Sequence, residues 1–360
     1  MLRVAFVGLV GVLVAVPGRA SLYQPDDPMP FAITPAGVAE PLPFEEFKRR
    51  LMIVMNQVNP LPLTEGQKNT DRDRLVTHIA DRKNVPKPSV PDTLALAADL
   101  LRDGQPDEAL NLLKPRDNPK RPDYFVCTTL AHIHAARQEW RTARDKLSSV
   151  TEFDDAEMPA VVKGLTPPQR DWVGKLDRDY VLAYFKVQTH EADAKPRPAP
   201  EDEDVYPLFP VAVRNKPHAP VRFVNDRGEY EPGAIAATEK AKLPPDAIAV
   251  VQQLVLWFPL DARMYWLLAE LYAADGQIEH AQTILNECVN SRYYSGRRAL
   301  MEHRTAVMTA VEKKLRDEEE ARRKALPISL RTIAIYFGVV AVVGVWAGVR
   351  AFRRWKLRRG

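Results

Sequence analysis

The residue types that could do chemistry are scattered along this sequence and form no catalytic or metal-binding motif. His132 and His134 are the most closely spaced histidines. Two positions along a helix turn side chains about 200° apart, so these two cannot share a metal ion. The acidic run Glu201–Asp204 lies in proline-rich, loop-like sequence, where solvated carboxylates are expected. No serine-nucleophile, zinc-protease or phosphate-loop motif is present. We therefore predict no catalytic residues, no metal and no cofactor.

The cysteines and the charge point to structure rather than to chemistry. Cys127 and Cys288 each fall on an apolar position of a predicted helix, which favours buried free thiols over a disulfide. The formal net charge is +4, and residues 350–360 alone carry six cations and no acid. The remainder of the chain is therefore acidic overall, and nothing in it predicts a nucleic-acid partner.

A spacing of 34 residues recurs in the helical parts of the sequence. It separates Ala109 from Ala143 and Ala247 from Ala281. Gly104 stands five residues before the first of these alanines, and leucines follow three of them after four residues. Small alanines let paired helices approach closely, glycine turns the chain between them, and leucines fill the layer between neighbours. The pattern predicts repeated helix–turn–helix hairpins.

These hairpins resemble the tetratricopeptide repeat (TPR), a 34-residue helix–turn–helix, over residues 91–150 and 242–289. The middle repeat departs from the pattern, with Gln138 in the glycine place and His134 in the aromatic place. The resemblance implies an all-α solenoid whose first helices line a concave groove that accepts protein segments. The groove places that it assigns are Phe125, Thr128, His132, Arg263, Trp266 and Glu270. Ordinary packing between helices is the competing interpretation of these side chains.

The sequence around the repeats predicts further elements. Residues 21–90 begin with an extended lead-in and continue as helices, and residues 151–241 contain a long helix from Thr166 and a proline-rich insert. Alternating residues in Val221–Gly233, with a turn at Asn225–Gly228, predict a small β-hairpin. Residues 242–326 hold the last repeat and a long charged helix that caps the solenoid.

Two apolar segments predict export and membrane anchoring. Residues 1–20 have the early charge, apolar stretch and small residues of a signal peptide, with an uncleaved anchor as the alternative. Thr332–Val349 is an uncharged run that nearly crosses about 30 Å of hydrocarbon at about 1.5 Å per residue. The basic tail 350–360 then stays in the cytoplasm. Gly344 and Gly348 form a G-x-x-x-G pair through which two such helices could pack as a homodimer.

Together these features predict a single-pass cell-membrane protein whose bulk is periplasmic or extracellular. Its repeats would serve as a scaffold that binds an unidentified protein or peptide partner. One alternative is a structural component of an envelope assembly, with a groove filled by the chain itself. The other is a cryptic hydrolase or carbohydrate-binding module built around the insert, which a pocket with converging carboxylates or histidines would favour.

Overall fold

The chain is mostly helical, as an all-α fold requires. The computed structural model describes residues 29–58, 68–152, 158–159, 162, 164–195, 204–210, 219–290, 297–325 and 330–357. They belong to two compact units, residues 1–308 and residues 309–360. The predicted signal peptide and much of the proline-rich insert lie outside the described residues.

The helices follow one another with short connections in most of the chain. They are α1 Phe44–Val58, α2 Thr70–Lys83, α3 Val90–Arg102, α4 Pro106–Leu113, α5 Tyr124–Ala136, α6 Trp140–Thr151, α7 Pro167–Lys175, α8 Leu182–Asp193, α9 Ala237–Lys240, α10 Ala247–Trp257, α11 Ala262–Ala274, α12 Ile278–Asn290, α13 Arg298–Ala325 and α14 Leu330–Leu357. A π-helical segment, Leu176–Val181, joins α7 to α8. The two therefore form one long helix, which starts at the predicted Thr166 cap.

Three hairpins, α3–α4, α5–α6 and α11–α12, share one turn geometry. Gly104, Gln138 and Gly276 occupy the same place in the turn, with φ angles of 77°, 62° and 81°. In each turn the next residue donates a backbone hydrogen bond of 2.8–2.9 Å to a carbonyl five residues earlier. This bond closes the end of the first helix in the manner of a Schellman cap. Helical hairpins with a common turn therefore form at these three places.

Small residues line the contact between the two helices of each hairpin. The alanines at the 34-residue spacing in these hairpins are fully buried, as are the leucines that follow them: Ala109, Ala143, Ala281, Leu113, Leu147 and Leu285. A methyl side chain lets two helix axes approach while the leucines fill the remaining space. Both cysteines are buried and free, as predicted.

The array of hairpins is interrupted where the long helix α7–α8 meets α10. Trp172, early in the long helix, bonds Asp246 just before α10, and Tyr184, further along, packs its ring 4.5 Å from that of Phe258. The two helices therefore run in the same direction, whereas hairpin partners run in opposite directions. This parallel pairing makes the seam a break in the array of hairpins.

The predicted β-hairpin at 221–233 is wrong, although its turn forms. Asn225 accepts from the amide of Gly228 at 2.9 Å and donates to Glu229 at 2.8 Å. No strand follows in residues 219–236, because their backbone groups bond elsewhere. The Arg222 amide donates to the Glu239 carboxylate and the Gly233 amide to the carbonyl of Ala273. The segment is therefore an irregular loop that is hydrogen-bonded to α9 and α11.

Helix α14 belongs to the second unit. Its apolar side chains are exposed wherever the structure describes them, with Phe337 73% and Val342 69% accessible. Among the described residues, no helix combines the length and the apolarity that crossing a membrane requires. The predicted span 332–349 includes residues 332–334 and 336, whose side chains are outside the description. Around Gly344 and Gly348 the space is open, since an added Cβ would meet no atom within 4 Å.

Candidate functional site

His132 lies in a closed aromatic cluster rather than in an open groove. Its ring stacks on Phe258 at 5.3 Å between centroids, and Phe185 and Trp257 meet it edge-on at 5.8 Å. The side chain is fully buried, and neither ring nitrogen has a hydrogen-bond partner within the described part of the chain. Burial lowers its pKa to about 3, so the imidazole is neutral. His132 therefore packs the interior.

Arg263 is held by the long helix and by the insert. Its guanidinium bonds Glu191 at 2.7 Å and lies 4.8 Å from the centre of the Tyr206 ring. Asp261, two residues earlier, caps α11 and accepts a hydrogen bond of 2.9 Å from Tyr184. The Arg263 guanidinium therefore contacts both Glu191 and Tyr206. Together with the bond between Asp261 and Tyr184, these contacts fix α11 against α8.

Trp266 and Glu270 form a buried polar pair with the start of α13. The indole of Trp266 donates to Glu270 at 2.8 Å, and His303 contacts the same carboxylate oxygen at 2.9 Å. Tyr230 of the insert stacks on the His303 ring at 3.7 Å. Burial, with the neighbouring Glu270 carboxylate, raises the pKa of Tyr230. Neither Trp266 nor Glu270 is accessible to a partner.

Phe125 and Thr128 lie one turn apart on α5. Thr128 is buried, and its hydroxyl donates to the Phe125 carbonyl at 3.2 Å. Phe125 is half-buried, with its ring edge-on to Tyr124 at 5.4 Å. Of the six predicted groove residues, Thr128, His132, Trp266 and Glu270 are buried, and Phe125 and Arg263 are half-buried. Burial of these four side chains agrees with packing between helices, the competing interpretation of these positions.

Asp177 is an ionisable group that sequence reasoning missed. It lies in the π-helical segment, is almost fully buried, and accepts a hydrogen bond of 2.8 Å from the Tyr124 hydroxyl. Burial raises its pKa to about 7 against the opposing effect of that hydrogen bond. In the described residues, no three His, Cys, Asp or Glu side chains are placed to hold a metal ion.

A second site, also missed from the sequence, holds residues 29–43, which we call the N-terminal clasp. At its first end the Gln169 side chain of α7 donates to the carbonyls of Met29 and Phe31 at 3.2 and 3.1 Å. The Phe31 ring is buried against Trp172, with centroids 5.2 Å apart. The clasp therefore contacts the long helix at its N-terminal end.

The other end of the clasp is held by Gln252 of α10. Its carbonyl oxygen accepts from the Leu42 amide at 2.8 Å, and its amide donates to the Leu42 carbonyl at 3.0 Å. The same amide donates to the Tyr272 hydroxyl at 2.8 Å. Gln252 is fully buried. The sequence signal for this contact is Gln252 itself, a polar residue inside the otherwise apolar stretch AIAVVQQLVLW. A polar side chain buried in such a helix needs a hydrogen-bond partner.

Between its two ends the clasp closes on itself. The Thr34 amide donates to Val38 and the Glu40 amide to Ala32, both at 2.9 Å, around a turn in which Gly37 has a φ of 74°. The clasp bridges α7 and α10, the two helices that meet in parallel at the break in the repeat. It thus joins the two groups of helices on either side of the seam.

The architecture and these contacts define an all-α array of helical hairpins that binds an irregular chain segment across a seam. Comparison with known proteins adds no family. No family model matches the chain, and neither the curated proteins nor the solved structures contain a match.

Proposed function

We propose that this chain is a membrane-anchored helical scaffold that holds protein partners in an assembly on the outer side of the membrane. The observation that carries the proposal is the shared turn geometry of the three hairpins. Stacked helical hairpins offer long surfaces made of many side chains, which suit protein binding. The resemblance to TPR proteins points in the same direction, as an analogy of architecture.

The predicted groove is not the surface that we propose for the partner. His132, Trp266 and Glu270 are fully buried, and Arg263 is engaged by Glu191. This burial favours the first alternative from the sequence, a structural component of an envelope assembly whose groove is filled by the chain itself. Partners then bind through other faces, and the filled face supplies rigidity.

Membrane anchoring through α14 is part of the proposal. The exposed apolar side chains of this helix need an apolar environment. The six cations of residues 350–360 complement the anionic lipid headgroups of the cytoplasmic leaflet. Export by residues 1–20 would place the hairpins on the outer side.

Cross-linking of the full chain in intact membranes tests the scaffold. After mild detergent extraction we expect a species on native gels well above the 40.6 kDa chain, with partner proteins in fixed proportion. Phe125→Ala removes a half-buried side chain of the predicted groove set and should leave this species unchanged. A chain that always migrates alone would contradict the proposal. Loss of the species in Phe125→Ala would instead place the partner at the predicted groove.

A further inference from the structure

We infer that the π-helical segment Leu176–Val181 is a proton-controlled joint in the long helix. It stays closed against α5 while Asp177 carries a proton, and it opens locally when this carboxyl loses its proton. The inference concerns how the long helix moves and goes beyond the scaffold function. It is carried by the change of hydrogen-bond register in the segment and by the burial of Asp177 at the contact with α5.

Two hydrogen-bond registers meet in the joint. The Leu176 amide donates to the carbonyl of Trp172, four residues earlier, as in an α-helix. The Leu182 amide donates to the carbonyl of Asp177, five residues earlier, which leaves one extra residue in the turn. Such wide turns interrupt the regular α-helical ladder and are places where long helices bend. The joint can therefore open while the helices on either side of it remain formed.

Asp177 ties the joint to α5. Its side chain is 4% exposed, and the Tyr124 hydroxyl at the start of α5 donates a hydrogen bond of 2.8 Å to its carboxylate. Tyr124 packs in one cluster with Cys127, one turn further along α5, and with Val150 of α6. The Met158 side chain packs on this cluster and lies beside Gly174 of α7. Opening of the joint would therefore uncover Cys127, which is buried in the closed form.

Asp177 belongs to no salt bridge among the described residues. The charged groups of the joint and of the helices around it pair with one another: Arg178 with Asp179, Lys175 with Asp246, Lys146 with Asp117 and Lys186 with Glu152. The titratable groups on α5 are Tyr124 and Cys127, and burial raises the pKa of both. Helix α10 carries no charged residue. Burial also raises the pKa of Asp177 to about 7, so an ionised Asp177 favours the open form, in which water reaches the carboxylate.

The joint separates two parts of the long helix that hold different elements. Helix α7 holds the N-terminal clasp through Gln169 and Trp172, whereas Tyr184 of α8 packs against Phe258. Opening lets the end that bears the clasp move while α8 keeps its contacts. The rigidity of the array then falls as the pH rises towards 7.

The rate at which Cys127 reacts with a thiol reagent measures this opening. The experiment uses the full chain in detergent with Cys288→Ser, so that Cys127 is the one remaining thiol, and dithiodipyridine as the reagent from pH 5 to 8. Dividing the labelling rate by that of the same chain with Asp177→Asn cancels the pH dependence of the thiol itself. We expect this ratio to rise by up to about tenfold per pH unit and to level off above pH 7, because the open form binds the proton more weakly.

Two controls separate the joint from general effects. Asp179→Asn removes the neighbouring carboxylate, which is paired with Arg178, and its labelling rate relative to wild type should not change with pH. Low urea concentrations should leave the Cys127 labelling rate unchanged, because a local opening exposes little surface.

Tyr124→Phe gives a second comparison that does not depend on the Asp177→Asn variant. The hydrogen bond from Tyr124 lowers the pKa of Asp177, so its loss should raise this pKa further. Labelling of Cys127 should then continue to rise above pH 7, and the rate relative to wild type should increase between pH 7 and 8.

Three results would overturn the inference. A constant ratio of wild-type to Asp177→Asn labelling from pH 5 to 8 would show that the Asp177 proton does not control the joint. If Asp177→Asn loses its helical circular dichroism, a constant ratio of Tyr124→Phe to wild type above pH 7 would show the same. Labelling that rises steeply with low urea would show that Cys127 is reached only when the whole chain unfolds.

Discussion

At the residue scale, Gln252 shows how a buried amide can organise a long-range contact. It satisfies both backbone groups of Leu42 and the hydroxyl of Tyr272 from the interior of an apolar helix. A buried polar side chain is tolerated only when its hydrogen bonds are made, so this position specifies one placement of the clasp.

Gln252→Leu should lower the free energy of unfolding by about 2–4 kcal/mol, because backbone groups of Leu42 lose their buried partners. Chemical denaturation followed by circular dichroism measures the change. Gln253→Leu, at the next position of the same helix, is the matched control and should change stability less. Equal effects of the two substitutions would mean that the hydrogen bonds to the clasp add little.

Asp177 predicts a pH dependence. Its pKa in the folded chain is raised to about 7, above the value of 3.8 for an unperturbed aspartate. As the pH rises, Asp177 therefore loses its proton at a lower pH in the unfolded chain than in the folded chain. The contribution of its protonated form to the free energy of unfolding is complete below about pH 4 and is lost as the pH rises through 7. Asp177→Asn keeps an acceptor for Tyr124 and removes this loss. We expect the variant's advantage in unfolding free energy to grow between pH 4 and 7, reaching about 2–4 kcal/mol.

His132 gives the opposite trend and must be separated from Asp177. Its pKa is lowered to about 3, so its stabilising effect is lost as the pH falls from about 6.5 towards 3. Both the wild-type chain and Asp177→Asn carry this trend, so it cancels in their difference. A difference that stays constant from pH 4 to 8 would contradict the role given to Asp177.

At the element scale, the turn residue of each hairpin is set by a left-handed backbone. The sequence alone shows glycine at two of the three places, and the structure shows that Gln138 adopts the same conformation. A side chain in this region costs about 1–2 kcal/mol, which glycine avoids. The α5–α6 hairpin therefore forms despite its turn residue, through the packing of its helices.

Gly276→Ala should cost about 1 kcal/mol and Gln138→Gly should gain up to about 1 kcal/mol of unfolding free energy. An added Cβ at Gly276 meets no atom within 4 Å, so the cost there is conformational and not steric. Thermal or chemical denaturation of the two variants measures both signs. Destabilisation by Gln138→Gly would show that this side chain makes a contact worth more than the strain.

At the scale of the whole molecule, the membrane proposal depends on α14. The chain should resist extraction by alkaline carbonate, and replacing Val340 and Val343 with arginine should release it, since buried charges are costly in hydrocarbon. Protease added outside intact cells should cut the hairpin region and spare an epitope placed after residue 360. Val76→Arg, at an exposed position of α2, is the control and should leave the chain in the membrane.

The sequence by itself determined the local features of this protein. Helix positions, the Thr166 cap, the hairpin turns and the buried alanines follow from contacts within a few residues or one repeat. The expected β-hairpin failed because its backbone groups found partners on helices, such as Ala273, which a local pattern does not contain.

Only the tertiary structure decided which of the predicted groove residues are buried and where the clasp lies. Gln252 and Leu42 are 210 positions apart, and Gln169 and Phe31 are 138 apart. From the sequence, an exposed and a packed position are equally consistent with predicted groove residues such as Trp266. A helix pattern shows which face is apolar but not what covers that face. The parallel meeting of α7–α8 with α10 depends on contacts between distant parts of the chain, such as Trp172 with Asp246 and Tyr184 with Phe258.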